Sequence, residues 1–241
     1  MIPSEIHIEQ YSAFLSKLPI FKNISKNELG PLFQTMQVHQ YHKGDTVIFD
    51  ADQHANLYLV ESGLFKLTKF DQRGDELVLR IVDQNDAISP MHFSPHYDIS
   101  AEFVKDTTLI YFSKNSINNL IAKNHQFSMN IIQFLAESAQ TLMLFAEVLQ
   151  LKTTREKVGW YLVRAKINNL LEFPHPKRLI AAYLGMAPES FSRALTDLKN
   201  DGIFVKNRSI ELNNGNELCQ YCDAVTGSDC DDFKSNACIH H

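Results

Sequence analysis

The chain has 241 residues, of which 44% are hydrophobic and 21% charged, a composition typical of a soluble globular protein with one large core or two small ones. Its N-terminus lacks the basic start and apolar core of a signal peptide, and its longest apolar runs, such as residues 142–145, are too short to span a bilayer. We therefore expect a cytoplasmic protein with no membrane partner.

The net charge of −5 is unevenly distributed along the chain. Residues 1–150 carry 11 Lys and Arg against 17 Asp and Glu (−6), residues 151–212 carry 11 against 6 (+5), and residues 213–241 carry 1 against 5 (−4). A basic segment between two acidic ones favours a local site for a polyanion, because phosphate contacts need Lys and Arg. Charge by itself leaves chance fluctuation of the surface equally open.

The N-terminal half is predicted to be a pair of short helices followed by strands. Residues 10–37 are helical in two pieces interrupted by Pro19, and Ser25 with Glu28 forms a capping box. Short runs of β-forming residues then alternate with turns that contain Gly and Asp. The runs are 38–41, 46–49, 57–60, 64–70 and 77–82. This alternation predicts an antiparallel sandwich or barrel over residues 38–112.

Residues 114–151 are predicted to be a long helix with two apolar rows. The first row is a heptad seam formed by Ile131, Leu135, Ser138, Leu142, Phe145 and Leu149. The second row is formed by Ile132, Ala136, Ala139, Met143 and Ala146. A seam that persists over nearly three heptads favours a dimer contact. The alternative is a fully buried core helix.

The basic segment is predicted to contain a winged helix-turn-helix. An amphipathic helix over 152–171 ends before Pro174, and a short helix from Lys177 follows it. Gly185 then provides a turn, and Pro188 begins a second helix that Gly202 ends. Two short strands, 203–205 and 209–212, complete a hairpin. Helix, turn, helix and hairpin in this order are typical of a DNA-binding domain.

Three residues on the second helix match the chemistry that reads base edges in a major groove. Glu189, Ser192 and Arg193 stand at i, i+3 and i+4, so they share one face near the helix N-terminus. Arg193 can donate to guanine O6 and N7, Glu189 can accept from cytosine N4, and Ser192 can serve a base or a phosphate. The alternative is a salt bridge between Glu189 and Arg193 on a solvated face. The candidates for phosphate contacts are Lys177, Arg178, Lys199, Lys206 and Arg208.

These features resemble the Crp/Fnr superfamily of bacterial transcription regulators over roughly residues 15–212. The resemblance rests on residues 43–45, 57–67 and 74–80 and on the helix-turn-helix at 179–202. The pattern Glu189-x-x-Ser192-Arg193 is similar to that of the fumarate-nitrate branch, with its dissimilatory nitrate respiration relatives. The resemblance implies an α+β fold with an N-terminal double-stranded β-helix (a jelly roll like those that bind cyclic nucleotides), a long dimerisation helix and a C-terminal winged helix-turn-helix. It also implies a homodimer that binds a palindromic, TTGAT-type DNA site and contacts RNA polymerase.

On this reading the chain has four parts: a β-roll sensor domain (1–118), a dimerisation helix (119–150), a winged DNA-binding domain (151–212) and a cysteine-containing tail (213–241). The chain contains no Gly-rich phosphate loop, nucleophile elbow or carboxylate pair, so we expect a regulator rather than an enzyme.

The sensor segment departs from the cyclic-AMP binders of the family. Those proteins carry a Gly-Glu pair and an Arg-Ser pair, whereas residues 85–102 contain neither glycine nor arginine. A cyclic phosphate would meet Asp86 and Asp98 without a cationic partner, which argues against cyclic AMP. The dissimilatory nitrate respiration regulators, which residues 88–112 resemble, sense nitric oxide through haem. By that resemblance His92 and His96 are candidate axial ligands, and the alternative is that they are ordinary loop histidines.

All four cysteines lie after the winged domain. They are Cys219, Cys222, Cys230 and Cys238, whereas the N-terminal cluster cysteines of the fumarate-nitrate branch are missing. The CxxC start is the usual spacing where two thiolates share a metal, so the four predict a [4Fe–4S] cluster or a zinc ion. Some family members are similar in placing cluster cysteines here, and analogy with their redox role favours iron–sulfur over zinc. The alternative is a disordered tail with free or oxidised thiols.

Overall fold

The computed structural model describes residues 11–49, 57–88, 99–167, 173, 175–206, 209–214, 216–223 and 227. The chain forms two compact units that divide between residues 141 and 142. The first contains the predicted β-roll, and the second contains the predicted helix-turn-helix and wing. The α+β fold class inferred from the sequence is confirmed.

The described part of the first unit starts with helical segments that form one side of its core. Residues 11–15 are helical, Pro19–Phe21 is a single 3-10 turn, and helix α1 is Lys26–Phe33. The predicted capping box is present, because Ser25 accepts from the Glu28 backbone while the Glu28 carboxylate accepts from the Ser25 backbone N–H at 2.8 Å. The buried residues of these segments include Leu15, Ile20, Phe21, Leu29, Leu32 and Phe33.

Eight strands follow in two antiparallel sheets. They are β1 (Gln37–Tyr41), β2 (Thr46–Phe49), β3 (Leu57–Ser62), β4 (Leu64–Phe70), β5 (Glu76–Asp83), β6 (Ala87–Ile88), β7 (Ile99–Phe103) and β8 (Thr107–Phe112). One sheet has the order β1-β8-β3-β6 and the other the order β2-β7-β4-β5. The five predicted runs are confirmed, and β6, β7 and β8 are additional to them.

Side chains of both sheets meet in a shared interior, which makes the unit a sandwich. Tyr58, Val60 and Leu109 of the first sheet pack with Phe65 and Phe103 of the second. The opposite face of the first sheet packs against the helices through Leu57, Leu59, Ala87, Ile110 and Phe112. Strand β3 is therefore buried on both faces, which explains its continuous apolar run Leu57–Val60.

The helix predicted over 114–151 is two helices, α2 (Lys114–Lys123) and α3 (His125–Leu151). The break falls at Asn124, whose backbone is extended. Its side-chain oxygen accepts from the Phe127 backbone N–H at 2.8 Å, and its amide donates to Glu28 Oε1 at 2.7 Å. Asn124 therefore caps the start of α3, which agrees with the preference of asparagine for this position.

The structure corrects the residues assigned to the dimer seam. Ile131 lies in the core of the first unit, and Leu135 packs against that core. Phe145 packs against the core of the second unit, while Leu149 is half-buried and Leu142 is exposed (61%). Ile131, Leu135 and Phe145 therefore face the chain's own cores, whereas Leu142 stays accessible to a partner and its role in a seam remains a prediction. Heptad spacing identifies a stripe but does not say which partner covers it.

A neighbouring stripe of α3 remains uncovered within the protomer. Its members are all exposed and alternate in steps of three and four residues: Met129, Ile132, Ala136, Ala139, Met143 and Ala146. Ile132 is 59% and Met143 74% exposed. We call this set the exposed row. It contains all five residues of the second row identified in the sequence.

By length and composition alone, α3 is long and apolar enough to cross a membrane. The sequence did not show this, because charged and polar residues interrupt its apolar runs. Glu137 and Glu147 interrupt its apolar positions, and its two halves contribute Ile131 and Val148 to the cores of the two units.

The second unit is built around α3 residues from 142 onwards. Its elements are α4 (Thr154–Ile167), α5 (Lys177–Tyr183), α6 (Pro188–Asp197), a 3-10 turn (Leu198–Asp201), β9 (Ile203–Lys206), β10 (Ser209–Leu212) and a second 3-10 turn (Glu217–Tyr221). Its core includes Trp160, Leu162, Ile180, Phe191 and Leu198.

Candidate nucleic-acid interface

Helices α5 and α6 form a helix-turn-helix because each buries one face and the turn between them is sharp. Leu179 and Ile180 on α5 are buried, as are Phe191 and Leu195 on α6. Gly185 adopts φ +65°, a left-handed conformation that glycine accepts without steric cost. The turn places the two helices as the sequence predicted.

The three residues predicted to read bases are brought together on the solvent side of α6. Glu189, Ser192 and Arg193 are all exposed, whereas Phe191 and Ala194 are buried. Within the described part of the chain, no ion pair joins Glu189 to Arg193. Both side chains therefore remain available to an external partner, which disfavours the salt-bridge alternative.

The basic residues predicted to contact phosphates differ in their surroundings. Lys177, Arg178 and Lys199 are exposed, and the Lys177 ammonium lies 5.5 Å from the centre of the Phe173 ring. Lys206, at the tip of β9, forms an ion pair with Glu211 of β10 at 2.9 Å. This exposed pair is weak in water, so a phosphate could compete for the ammonium. Arg208 lies outside the described residues.

The wing is anchored to the domain at its base. Strands β9 and β10 pair antiparallel, with Leu212 opposite Ile203 and Ser209 opposite Lys206. Ile203 and Ile210 are buried in the core of the second unit, while Lys206 and Ser209 at the free end are exposed. The strand ends at Lys206 and Ser209 therefore face solvent, away from the anchored base.

The segment after the wing is not the separate tail that the sequence suggested. Leu218 and Tyr221 are buried in the core of the second unit, and Cys222 packs against the same core. The predicted tail boundary at residue 213 is thus too early, because residues 216–223 belong to the DNA-binding unit. Only two large side chains carry this burial, and two apolar residues give no periodic pattern in the sequence.

Tyr221 lies against Gly159 of α4 with no space between them. A Cβ built at Gly159 would come within 2.3 Å of the Tyr221 ring. The Tyr221 hydroxyl accepts from Arg155 Nε at 2.9 Å and donates to the Asp201 carboxylate, to which Arg155 also donates. Burial raises the pKa of Tyr221, and the hydrogen bond to Asp201 raises it further. Sequence reasoning missed this cluster, since its members are 20 to 66 residues apart.

The cysteines fall partly within the described chain. Cys219 lies in the 3-10 turn, and the Cys222 N–H donates to the Cys219 carbonyl at 3.0 Å, so both belong to one turn. Both are half-buried, and the Cys222 thiol donates to the Asp223 carbonyl at 3.4 Å. Cys230 and Cys238 lie outside the described residues. Among the described residues no group of three or more His, Cys, Asp or Glu could hold a metal ion.

Aromatic side chains cluster on the strands of the β-roll. Tyr111 donates to Gln37 and contacts His39 Nε2 at 2.7 Å, and the Tyr41 ring stacks on Phe103 with centroids 4.2 Å apart. Burial raises the pKa of Tyr111. His92, His96 and Asp98 lie outside the described residues, so their predicted roles remain predictions.

Asp86, one of the carboxylates counted against a cyclic phosphate, is held by protein partners. It accepts from Arg80 at 3.1 Å and from the Asp83 backbone N–H at 2.8 Å. Arg80 is therefore already paired with a carboxylate of the same chain.

Two family models match this chain. Residues 38–124 match the cyclic nucleotide-binding domain, and residues 146–221 match the Crp-like helix-turn-helix domain. The chain is 22% identical over 204 residues to the Anaerobic regulatory protein of Bacillus subtilis, covering 79% of this chain and 85% of that protein. It is 23% identical over 189 residues to the Transcriptional activator protein FnrL of Cereibacter sphaeroides, covering 73% and 75%.

Solved structures show the same fold. FixK2 from Bradyrhizobium japonicum superposes with a TM-score of 0.66 at 22% identity, covering 78% of this chain and 98% of that one. A CooA mutant from Carboxydothermus hydrogenoformans superposes with a TM-score of 0.65 at 20% identity, covering 83% and 91%.

Proposed function

Because the chain belongs to the Crp/Fnr family of transcription regulators, we propose that it reads a palindromic, TTGAT-type DNA site through Glu189, Ser192 and Arg193 of α6. The observation that carries this proposal is the joint exposure of these three side chains on one face of the second helix of the motif. Arg193 can donate to guanine and Glu189 can accept from cytosine. Ser192 can bond to a base or to a phosphate. Arg178, Lys199 and Lys206 would hold the phosphates and set the register.

The proposed site is symmetric, so the protein would bind it as a homodimer. The exposed row of α3 supplies the surface, because a second copy of the same helix would cover Ile132 and Met143. An exposed apolar stripe on a helix whose other positions pack into the protein's own cores is a typical oligomer contact. Contact with RNA polymerase in the cytoplasm would complete the function.

The DNA proposal is tested by titrating wild-type protein with a TTGAT palindrome and with single-base variants of it. Arg193→Ala should lose about 1–3 kcal/mol of discrimination at one guanine. Lys206→Ala serves as the matched control, because a phosphate contact should weaken binding to all sequences alike and lower the salt slope by about 1. If Arg193→Ala selects the palindrome as well as the wild type does, α6 is not the reading helix.

For the signal, we propose a redox-sensitive iron–sulfur cluster on Cys219, Cys222, Cys230 and Cys238. The support is that Cys219 and Cys222 share one hydrogen-bonded turn at the edge of the core, an arrangement that fits two adjacent ligands of one metal site. The name of the Bacillus subtilis relative also connects this type of regulator with anaerobic conditions. The four thiolates would hold the cluster, and the cluster would supply redox chemistry that is sensitive to oxygen.

Protein purified without oxygen should contain iron and sulfide and lose both when Cys222 is changed to Ser. Zinc without iron would identify a structural zinc site instead. A haem absorption band that disappears in His92→Ala or His96→Ala protein would support the alternative of a nitric oxide sensor in the β-roll. A preparation with no metal and no haem would contradict both sensor proposals and would indicate a regulator whose cysteine tail senses no signal.

A further inference from the structure

We propose that the segment 216–223, which we call the post-wing clasp, positions the recognition helix α6, so that docking of the clasp and binding of DNA favour each other. This inference rests on the proposal that α6 reads DNA. On this proposal Arg155, Asp201 and Tyr221 are positioning residues: they orient α6 but do not themselves touch the DNA.

The polar end of the clasp is attached directly to the end of α6. Asp201 closes the 3-10 turn Leu198–Asp201, which continues α6 without a break. Its carboxylate is nearly buried, with 11% of the side chain exposed, and it accepts from Arg155 and from the Tyr221 hydroxyl. Arg155 lies in the first turn of α4, so these contacts join α4, the clasp and the end of the recognition helix.

The clasp also fits closely against two glycines. Gly159 on α4 lies under the Tyr221 ring, and a Cβ at Gly202, directly after the 3-10 turn, would come within 3.1 Å of Glu217. Leu218 shares the core with Leu198 of that turn. The clasp therefore contacts both sides of the turn that ends the recognition helix.

The order of the clasp derives from these contacts rather than from its own backbone. Its 3-10 turn has short-range hydrogen bonds, such as Cys219 N–H to the Asn216 carbonyl at 2.9 Å. Such short turns have poor hydrogen-bond geometry and little stability alone. The clasp is held further by Trp160, whose indole N–H donates to Asp223 at 2.9 Å.

Among the described residues, no side chain caps the start of α6. Its N-cap is Ala187, which has no side-chain hydrogen bond to the helix. Asp201 instead joins the C-terminal end of the helix to Arg155 and Tyr221 through side-chain hydrogen bonds. Loosening them should let the reading residues sample other orientations, and by linkage a DNA that holds those residues should tighten the clasp.

The first test compares Tyr221→Phe with Tyr161→Phe in the full chain. Each removes one hydroxyl from a largely buried tyrosine of the same domain, but the Tyr161 hydroxyl bonds to His175 and not to the turn after α6. Tyr221→Phe should weaken binding to the palindrome about tenfold with an unchanged salt slope, whereas Tyr161→Phe should leave it within about twofold. Equal losses in the two variants would overturn the proposal.

A second variant perturbs the clasp without removing a polar group. Gly159→Ala places a methyl group into the Tyr221 ring, although alanine favours the helix itself by about 1 kcal/mol. It should reproduce the loss of DNA affinity and make Trp160, the single tryptophan, more accessible to acrylamide quenching. Gly30→Ala on α1, where nothing lies within 4 Å, is the control and should change neither property.

The reciprocal measurement uses wild-type protein and does not depend on any variant folding. Hydrogen exchange of residues 216–223 should slow when the palindrome is bound, and this protection should disappear in Tyr221→Phe protein that still binds at higher concentration. Unchanged exchange in the wild-type complex would overturn the clasp while leaving DNA reading intact. Wild-type protein that fails to select the palindrome would instead overturn the reading function, and the clasp with it.

Discussion

At the scale of the residue, the turn between β3 and β4 has no space for a side chain at Gly63. Gly63 has φ +108°, and a Cβ there would come within 2.3 Å of Thr107 Oγ1 and 2.5 Å of Thr107 Cα. Thr107 cannot easily withdraw, since its hydroxyl donates to the Lys105 carbonyl at 2.8 Å and accepts from the Leu64 N–H at 3.1 Å. Glycine is therefore required at this position for both conformation and space.

We expect Gly63→Ala to destabilise the protein more than Gly74→Ala does. Gly74 also has a positive φ (+85°), but a Cβ at this position would meet nothing within 4 Å, so its substitution should cost only the conformational strain of about 1–2 kcal/mol. Gly63→Ala should add about 1–3 kcal/mol for the overlap with Thr107. Urea unfolding of both variants measures the difference, and equal losses would show that the turn can relax.

At the scale of the element, α3 packs one face into the protein's own cores and leaves another face open to a second molecule. Ile131 and Val148 face the cores of the two units, and the exposed row faces solvent in the protomer. An apolar stripe wide enough for both appears in the sequence as two parallel rows, and only packing separates them.

Met143→Glu should therefore separate the dimer without unfolding the protomer. A carboxylate in the symmetric apolar contact would be desolvated twice, once in each copy, whereas in the monomer the same position is in water. Sedimentation velocity at micromolar concentration should show a monomer with a normal circular dichroism spectrum.

Two further substitutions on the same helix serve as controls for this experiment. Gln126→Glu adds the same charge outside the exposed row and should remain dimeric, while Ile131→Glu should unfold the first unit because Ile131 is in its core. A Met143→Glu protein that stays dimeric would place the dimer contact elsewhere.

The capping box of α1 makes a pH-dependent contribution to the first unit. Hydrogen bonds from Ser25 lower the pKa of Glu28 below its ordinary value of 4.5. Because the folded pKa is depressed, the stabilisation is complete above pH 4.5 and is lost as the pH falls through the folded pKa. Glu28→Gln should unfold at lower urea concentration than wild type at neutral pH, and the gap should narrow below pH 4.5. A gap that is constant with pH would mean that the carboxylate charge contributes nothing.

At the scale of the whole molecule, two copies related by a two-fold axis would present two recognition helices to one face of the DNA. Dimeric helix-turn-helix proteins bind half-sites about one helical turn apart. Lengthening the spacer of the palindrome by about half a turn should place the second half-site on the opposite face and reduce affinity to that of a single half-site. Gel-shift titration of the two spacers measures this, and equal affinity would argue for independent binding of each copy.

The sequence alone determined the features that depend on local chemistry and short-range periodicity. Alternating strands, the Ser25–Glu28 capping box, the turn at Gly185 and the shared face of Glu189, Ser192 and Arg193 all follow from spacings of a few residues. Such spacings translate directly into backbone conformation or a common helix face.

Tertiary structure decided which apolar row of α3 is covered, that Asn124 divides a predicted single helix, and that Leu218 and Tyr221 belong to the DNA-binding core. The physical reason is the same in each case: the partner comes from a distant part of the chain. Glu28 reaches Asn124 across 96 residues, and Arg155 reaches Tyr221 across 66. Short-range patterns show that a side chain needs a partner, but only the folded chain shows which one it meets.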